Sequence, residues 1–536
     1  MRGMISAPQP IAVEEGARIL ANGGNAFDAA LACAFMQFVV DPHSCGVGGY
    51  LVLVCRPAGG SSSQLVIDAP ALAGSKVTPT MWEDRVIGPN PGGWGYFLKD
   101  QVNEAGYSSI CTPGMMRGMD WIYKRWCTRP WSELTAGAIR AAEEGWVVSH
   151  HLGTRWKEAP LYYEGMSMAQ KLKVTPSASS IYLKKDGSTY EPGETIVNRD
   201  YGQTLRRITE HGPEDFHTGG LARDIAADLE AHDSYVTAED LAEYDVREEK
   251  PVLTSYRGYT IQTASPPHGG PTLAAILNIL EGYDLSSMRH NSAEYILVLA
   301  NAMKAAFADR NKYLGDMRFV DVPLEWMTSK ERAEEWRDHI RAGKEIDTAR
   351  VQPGSPTTTH VSVVDSDGNC VSLTHSLGSS SGVITPGLGF MYNNSMVNFH
   401  PYAGHPNSLA PRKSRTTGMT PTIVYRNEKP ILVIGAPGAT RIITSIAQVI
   451  INFLDFGMSI TDAVLAPRFD CQGDTIYCQA RIPEFVCEAI RKKHRAHRLV
   501  QSHGGLALVH AIAIDHKTGA MKGAADTGAD GMALEV

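Results

Sequence analysis

A mixed α/β (α+β) fold is predicted for this chain by three observations. Helical patterns, some amphipathic and some of small residues, are interspersed with short strand patterns along its 536 residues. Hydrophobic residues make up 43% and charged residues 20%, which leaves enough apolar surface for a large core. A strand–turn–strand pattern near residue 360 supplies a hairpin around which the other elements can be arranged.

In chain order, Ile11, Ala12, Val13, Ala17, Ile19 and Leu20 recur with helical period over residues 11–20, and Asn22-Gly23-Gly24-Asn25 ends that helix. Residues 29–40 form a second helix whose small side chains predict close packing and burial. The cluster Gly46-Val47-Gly48-Gly49 precedes a strand at 51–55. Because it lacks the strand-then-helix setting of a dinucleotide loop, it reads as a place of close backbone approach. Residues 131–145 read as a helix and its stop, and Thr237 caps a helix start. Strands are predicted at 251–254 and 259–263. Helices follow at 272–280 and 293–308, with a charged, solvated one at 330–344. Beyond the central hairpin, strands are predicted at 390–394, 421–425 and 430–434, and an apolar helix at 442–454. Between the last two lies Gly435-Ala436-Pro437-Gly438-Ala439-Thr440-Arg441. It is no P-loop, but its backbone N–H groups suit an oxyanion.

The central stretch is Thr357-Thr358-Thr359 followed by His360-Val361-Ser362-Val363-Val364, whose apolar/polar alternation predicts a half-buried strand. Asp365-Ser366-Asp367-Gly368-Asn369 supplies turn chemistry, and residues 370–374 return. Upstream, Gln352-Pro353-Gly354-Ser355-Pro356 breaks regular structure, so residues 345–357 read as exposed and cleavable. Cutting the backbone before a threonine would place an α-amine, titrating near ~7.7–8.0, beside its hydroxyl. A hydroxyl needs such a neighbouring base to be a useful nucleophile. The same hydroxyl could attack the preceding carbonyl and cut the chain itself.

A net charge of −8 argues against nucleic acid or an anionic membrane surface as the main partner. No apolar run approaches the roughly 18 residues of a membrane span. The first residues lack the roughly 7–15-residue apolar stretch of a secretory signal, so a cytoplasmic location is expected. Nine scattered cysteines without a CxxC pair read as reduced, mostly buried thiols, and neither metal nor cofactor is expected. Gly378-Ser379-Ser380-Ser381-Gly382 satisfies G-x-S-x-G, but Pro386 and Gly387 deny it the required helix; it reads as a flexible serine-rich loop at a pocket rim. The run from Asp365 to Asn369 lacks the distal glutamate of a calcium loop. His360 reads as a satisfied structural histidine ahead of a base. Arg412, Arg415 and Arg441 are candidates both for holding an acidic substrate and for anchoring loops, and His43 and His268 flank glycine clusters near the cleft.

The ordered motifs of the chain resemble those of the γ-glutamyltranspeptidases, self-cleaving N-terminal-nucleophile hydrolases. They include Gly23-Gly24-Asn25-Ala26, Gly46-Val47-Gly48-Gly49, Thr112-Pro113-Gly114, Ala306-Phe307-Ala308-Asp309-Arg310, Thr358-Thr359-His360, Asn393-Asn394, Met419-Thr420-Pro421-Thr422, Gly435-Ala436-Pro437-Gly438, and Asp526 with Asp530-Gly531. The resemblance implies a four-layer αββα sandwich. It also implies self-cleavage into a large subunit, 1–357, and a small catalytic subunit, 358–536, with a dimer of such heterodimers a further expectation. The family pattern puts the nucleophile at Thr358, with Thr357 and Thr359 as neighbouring alternatives. A supporting hydroxyl falls at Ser376, and the oxyanion N–H groups at Gly438 and Ala439.

The residues with which the family clamps a γ-glutamyl group are replaced. The arginine position falls within residues 67–71, which hold none. The asparagine becomes Gly378, the glutamine Ser395, the aspartate Asn398, and the serine pair Thr417 and Gly418. A substrate ammonium would meet neither charge nor acceptor at Gly378, at a cost of about 1–3 kcal/mol per unsatisfied buried group. The expectation is therefore an amidohydrolase acting on a small-molecule amide with a non-standard acyl group, similar to oxamate amidohydrolases and cephalosporin acylases. A genuine γ-glutamyltransferase (glutathione hydrolase) and an inactive binding homologue are the alternatives.

Overall fold

The computed structural model describes residues 3–59, 65–90, 95–159, 165–348 and 357–536. Two antiparallel sheets dominate it. The first has seven strands in the order Met532–Glu535, Gly3–Ala7, Thr359–Asp365, Cys370–Ser376, Tyr50–Arg56, Leu65–Ala69 and Arg247–Glu249. The second has six: Ala520–Ala525, His510–Asp515, Lys429–Gly435, Thr422–Arg426, Tyr259–Thr263 and Val252–Tyr256.

Strand alternation assigns each side chain to a layer. On the first sheet, Ile5, Leu51, Leu53, Val361, Val363, Val371 and Leu373 face outward into a core shared with the helices Pro10–Ala21, Ala26–Val40, Trp131–Glu144 and Arg199–His211. On the second, Ile261, Val424, Leu432 and Ile434 pack under Gly270–Leu280, Ala293–Tyr313 and Arg441–Leu454. Between the sheets, Met4, Tyr50, Val52, Val364, Cys370, Ile423, Tyr425, Val433 and Ile512 form the middle layer. The four-layer αββα sandwich is therefore realised.

The helix Ala26–Val40 is buried along every residue, as its small-residue composition predicts, and Asn25 caps it in a reciprocal box with Asp28. The Thr237 cap is also present, with Asp240 as its partner.

Three expectations are corrected. Thr359–Asp365 is buried on both faces, not half-buried. Its polar positions point between the sheets, where Ser362 Oγ donates to the His510 carbonyl at 3.3 Å and Ser372 Oγ to the Ile434 carbonyl at 2.9 Å. The polar half of the alternation thus marks an inter-sheet seam instead of a wet surface. Residues 390–394 form no strand, only a single bridge between Tyr392 and Gly48, because Asn393 and Asn394 use their side chains on loop carbonyls. The Gly378–Gly382 run is mostly buried, with Ser381 Oγ bonded to the Tyr392 carbonyl, so it is a packed loop and not a flexible rim. The cleavable segment expected at 345–357 falls mainly on residues 349–356, which lie outside the described residues.

Candidate active site

Thr358 immediately precedes the strand Thr359–Asp365, where the inner face of the first sheet meets the second. Its Oγ lies 2.7 Å from the Thr357 carbonyl oxygen and 3.2 Å from Ser376 Oγ. Ser376 ends the neighbouring strand and donates to the same Thr357 carbonyl at 2.9 Å, while accepting from the Gly378 N–H at 2.8 Å. The peptide carbonyl ahead of Thr358 is therefore bracketed by two hydroxyls, both buried. A hydrogen bond to that oxygen polarises the carbonyl toward attack.

The other two threonines are committed elsewhere. Thr357 Oγ donates to the Gly378 carbonyl. Thr359 turns to the opposite face, where its hydroxyl bonds Gln9 Oε1 at 3.2 Å and Gln37 Nε2 at 3.0 Å. Only the Thr358 hydroxyl meets Ser376. His360 is fully buried between Thr374 Oγ and Ser362 Oγ, both at 2.9 Å, and burial holds its pKa well below the ordinary imidazole value. It is the satisfied structural histidine that the sequence suggested.

Across the cleft, the turn joining Lys429–Gly435 to the helix Arg441–Leu454 brings Gly438 to the same cavity as Thr358. Gly438 adopts φ +135° and Ala439 φ +60°. A Cβ at Gly438 would lie 2.5 Å from Ala507 Cα, so only glycine fits there. Gly418 makes room for this turn, since a Cβ on it would sit 2.1 Å from the Ala439 carbonyl oxygen.

The cavity beside Thr358 has a mixed lining that includes Asp41, His151, Leu152, Arg155, Gly438, Leu506, Leu508 and Asp530. Burial raises the Asp41 carboxyl to about 6, and Gln9 Nε2 donates to it at 2.7 Å. Burial likewise lowers His151 to about 4. Of Asp41, His151, Arg155 and Asp530, only Asp530 belongs to a motif named in the sequence. His151 and Arg155 stand four residues apart on the helix His150–Lys157, while Asp41 and Asp530 come from distant stretches of chain, so no local spacing links the set.

The residues at the family's γ-glutamyl clamp positions divide into two groups. Gly378 touches the nucleophile's surroundings through Thr357 and Ser376. Ser395, Asn398, Thr417 and Gly418 do not line the Thr358 cavity; they belong to an adjoining buried polar layer. There Thr417 Oγ lies 2.7 Å from His268 Nδ1, and His268 Nε2 lies 3.0 Å from Asp68. Arg310 Nη2 holds the Thr417 carbonyl at 2.8 Å. Asn407 Nδ2 donates to the Asn398 carbonyl at 2.7 Å. Of the candidate arginines, Arg412 pairs with Asp240 and Glu243 at the surface, and Arg441 donates to the Gly505 carbonyl. Arg415 is buried, against Tyr50 and Ser395.

The chain is similar to proteins already known. The "Glutathione hydrolase proenzyme" of Escherichia coli (strain K12) is 32% identical over 496 residues, covering 88% of this chain and 81% of that protein. The "Acylase ACY 1 proenzyme" of Pseudomonas sp. (strain V22) is 34% identical over 542 residues, covering 100% of this chain and 94% of the relative. The crystal structure of cephalosporin acylase from Bacillus halodurans superposes with a TM-score of 0.85 at 27% identity, covering 99% of this chain and 95% of that one. The family model for gamma-glutamyltranspeptidase matches residues 12–536, so the chain belongs to the γ-glutamyltranspeptidase family.

Proposed function

We propose that this member of the family is a self-processing amidohydrolase that works through a Thr358 acyl-enzyme on an acyl group other than ordinary γ-glutamyl. The observation that carries the reading is the bracket of Thr358 Oγ and Ser376 Oγ around the Thr357 carbonyl, at 2.7 and 2.9 Å. In processing, Thr358 Oγ attacks the Thr357 carbonyl carbon. Ser376 takes the hydroxyl proton and passes one on to the Thr358 nitrogen. The Thr357–Thr358 C–N bond breaks, which frees the Thr358 amine and leaves the Thr357 acyl group as an ester on Oγ, and water then hydrolyses that ester to release the Thr357 carboxylate and restore the Thr358 hydroxyl.

In turnover, that amine takes the Thr358 hydroxyl proton as Oγ attacks the substrate amide. The Gly438 and Ala439 N–H groups hold the oxyanion, the amine leaves with the proton, and water hydrolyses the acyl-enzyme. An amine arriving in place of water would give acyl transfer. Relatives named as proenzymes, one a glutathione hydrolase and one an acylase, support both processing and amide chemistry. Loss of the clamp at Gly378 and Asn398 favours the acylase side over ordinary γ-glutamyl turnover. Pairing of two processed units is the assembly to be read by light scattering.

The test is mass spectrometry of the intact protein with a panel of p-nitroanilides of different acyl groups. The expected result is a fragment beginning at Thr358 that carries the acyl mass. An uncut chain that still hydrolyses amides would sink the reading.

A further inference from the structure

Lys171 ends the short helix Met168–Lys171 and is only 2% exposed, the most deeply buried lysine among the described residues. Burying an ammonium is costly unless partners replace its hydration. Its three N–H groups have three acceptors. Lys171 Nζ lies 2.6 Å from Glu104 Oε1, and it donates to Ser379 Oγ at 2.7 Å and to the Ser379 carbonyl at 3.3 Å. Two of the three acceptors thus belong to the residue that follows Gly378.

Gly378 clasps the Thr357–Thr358 bond with both of its backbone polar groups. Its N–H donates to Ser376 Oγ at 2.8 Å and so orients the hydroxyl that reaches the Thr357 carbonyl. Its carbonyl accepts from Thr357 Oγ. The far ends of the same two peptide groups are pinned by Asn394. The Asn394 N–H donates to the Leu377 carbonyl at 3.0 Å, and its Oδ1 accepts from the Ser379 N–H at 2.8 Å. Asn394 Nδ2 in turn donates to the Glu104 carbonyl and to Ser379 Oγ, both at 2.9 Å. Lys171 and Glu104 close this ring of hydrogen bonds. The turn needs such support, because Gly378 sits at φ +77° and Ser380, which carries a side chain, at φ +61°. A left-handed backbone at a residue other than glycine is strained and persists where its surroundings over-determine it.

We infer that Lys171, with Glu104 as its counter-ion, is a positioning residue for self-cleavage: through Ser379 and Asn394 it fixes the Gly378 clasp in the geometry from which Thr358 Oγ attacks. The inference rests on the self-processing reading above and adds to it a residue that touches neither reacting hydroxyl. Once Thr357 is released, the Gly378 carbonyl no longer holds its side chain, so the contribution of Lys171 falls on the single cut more than on repeated turnover. A displacement of roughly 1 Å costs on the order of 10²-fold in rate, which sets the scale of the effect.

The experiment follows cutting of the full chain after cell-free synthesis, on a denaturing gel, for wild type, Lys171→Met, Ser379→Ala and the double variant. Each is also made on the Thr358→Ala background, where the chain stays whole and Tm reports the fold alone. Lys171→Met is expected to slow the appearance of the two fragments about 10–10²-fold, and Ser379→Ala by a comparable factor. The double variant should be no slower than the slower single one, because both substitutions break the same link. Fully processed Lys171→Met should then turn over the best p-nitroanilide of the panel with kcat and KM within a few-fold of wild type. Cutting at the wild-type rate in either single variant would overturn the inference, and Ser379→Ala decides it if Lys171→Met does not fold. Losses that multiply in the double variant would show two independent effects and overturn it too. Turnover falling as far as cutting, with a lower Tm on the Thr358→Ala background, would assign Lys171 a general structural role and overturn it as well. A wild type that never cuts would instead overturn the self-processing reading, and this inference with it.

Discussion

The two groups proposed to hold a negative oxygen beside Thr358 are built from different material. On the scissile side, a side-chain hydroxyl, Ser376, reaches the Thr357 carbonyl at 2.9 Å. On the opposite side, the Gly438–Ala439 turn offers backbone N–H groups in a left-handed conformation. A hydroxyl can both donate and accept, which suits a step where a proton must move before any free amine exists. Backbone amides only donate, but they are fixed in place and cost no reorganisation, which suits repeated turnover. On the proposed mechanism, one-time self-cleavage and repeated catalysis share a nucleophile without sharing their electrostatics, so substitutions should separate them.

The largest effect is expected at the shared atom. Thr358→Ala should abolish both processes, giving one uncut band of the full chain on a denaturing gel and a turnover loss of more than about 10⁴-fold. Next come the substitutions that pull the two devices apart. Gly438→Ala should cost about 10²–10³-fold in kcat while cutting proceeds, because the added Cβ meets Ala507 and shifts the turn. Ser376→Ala should do the reverse, slowing the appearance of the two fragments about 10²-fold and affecting the turnover of processed enzyme less. Equal losses in both assays for either variant would break the comparison.

The pH profile sharpens it further. With His360 held neutral by burial, the ascending limb of kcat/KM should follow the α-amine near ~7.7–8.0 and stay in place in His360→Gln, as read from initial rates between pH 5 and 9. The smallest effect concerns stability at the cleft's edge. Asp41 has a folded pKa raised from 3.8 to about 6, so the folded state binds the extra proton. Its contribution is present below pH 3.8 and is lost as pH rises through about 6. Asp41→Asn should therefore raise Tm at pH 7.5 relative to wild type, with the gap closing toward pH 4, by calorimetry.

Much of this arrangement is legible in local pattern. The turn after Asp365, the Thr237 cap, the apolar helix after Arg441 and the glycine-bearing oxyanion turn all declare themselves within a few neighbouring residues, because each depends on short-range geometry. The threonine triplet points to its chemistry but not to its middle member. What separates the three hydroxyls is the fold: Ser376 and Gly378 engage Thr358 and Thr357, and Gln9 and Gln37 engage Thr359. The double burial of the central strand is likewise hidden, since Ser362 reads as surface until a second sheet covers it. Arg415 has no local signature to separate it from Arg412. Arg412 is half exposed and meets carboxylates, whereas Arg415 is buried against a tyrosine, and only the fold distinguishes them.

The strand order carries a consequence for the life of the molecule after the cut. Gly3–Ala7 lies between two strands from beyond Thr357, Thr359–Asp365 and Met532–Glu535, while Cys370–Ser376 lies against Tyr50–Arg56. Val252–Tyr256 and Tyr259–Thr263 extend the second sheet from the side of Thr422–Arg426. With the proposed cut before Thr358, parting the two products would mean unzipping four ladders, so each half stays with the half it was translated with. Mixed populations of differently mutated molecules should never reshuffle their halves, and an inherited defect in one cannot be rescued by a sound copy from a neighbour.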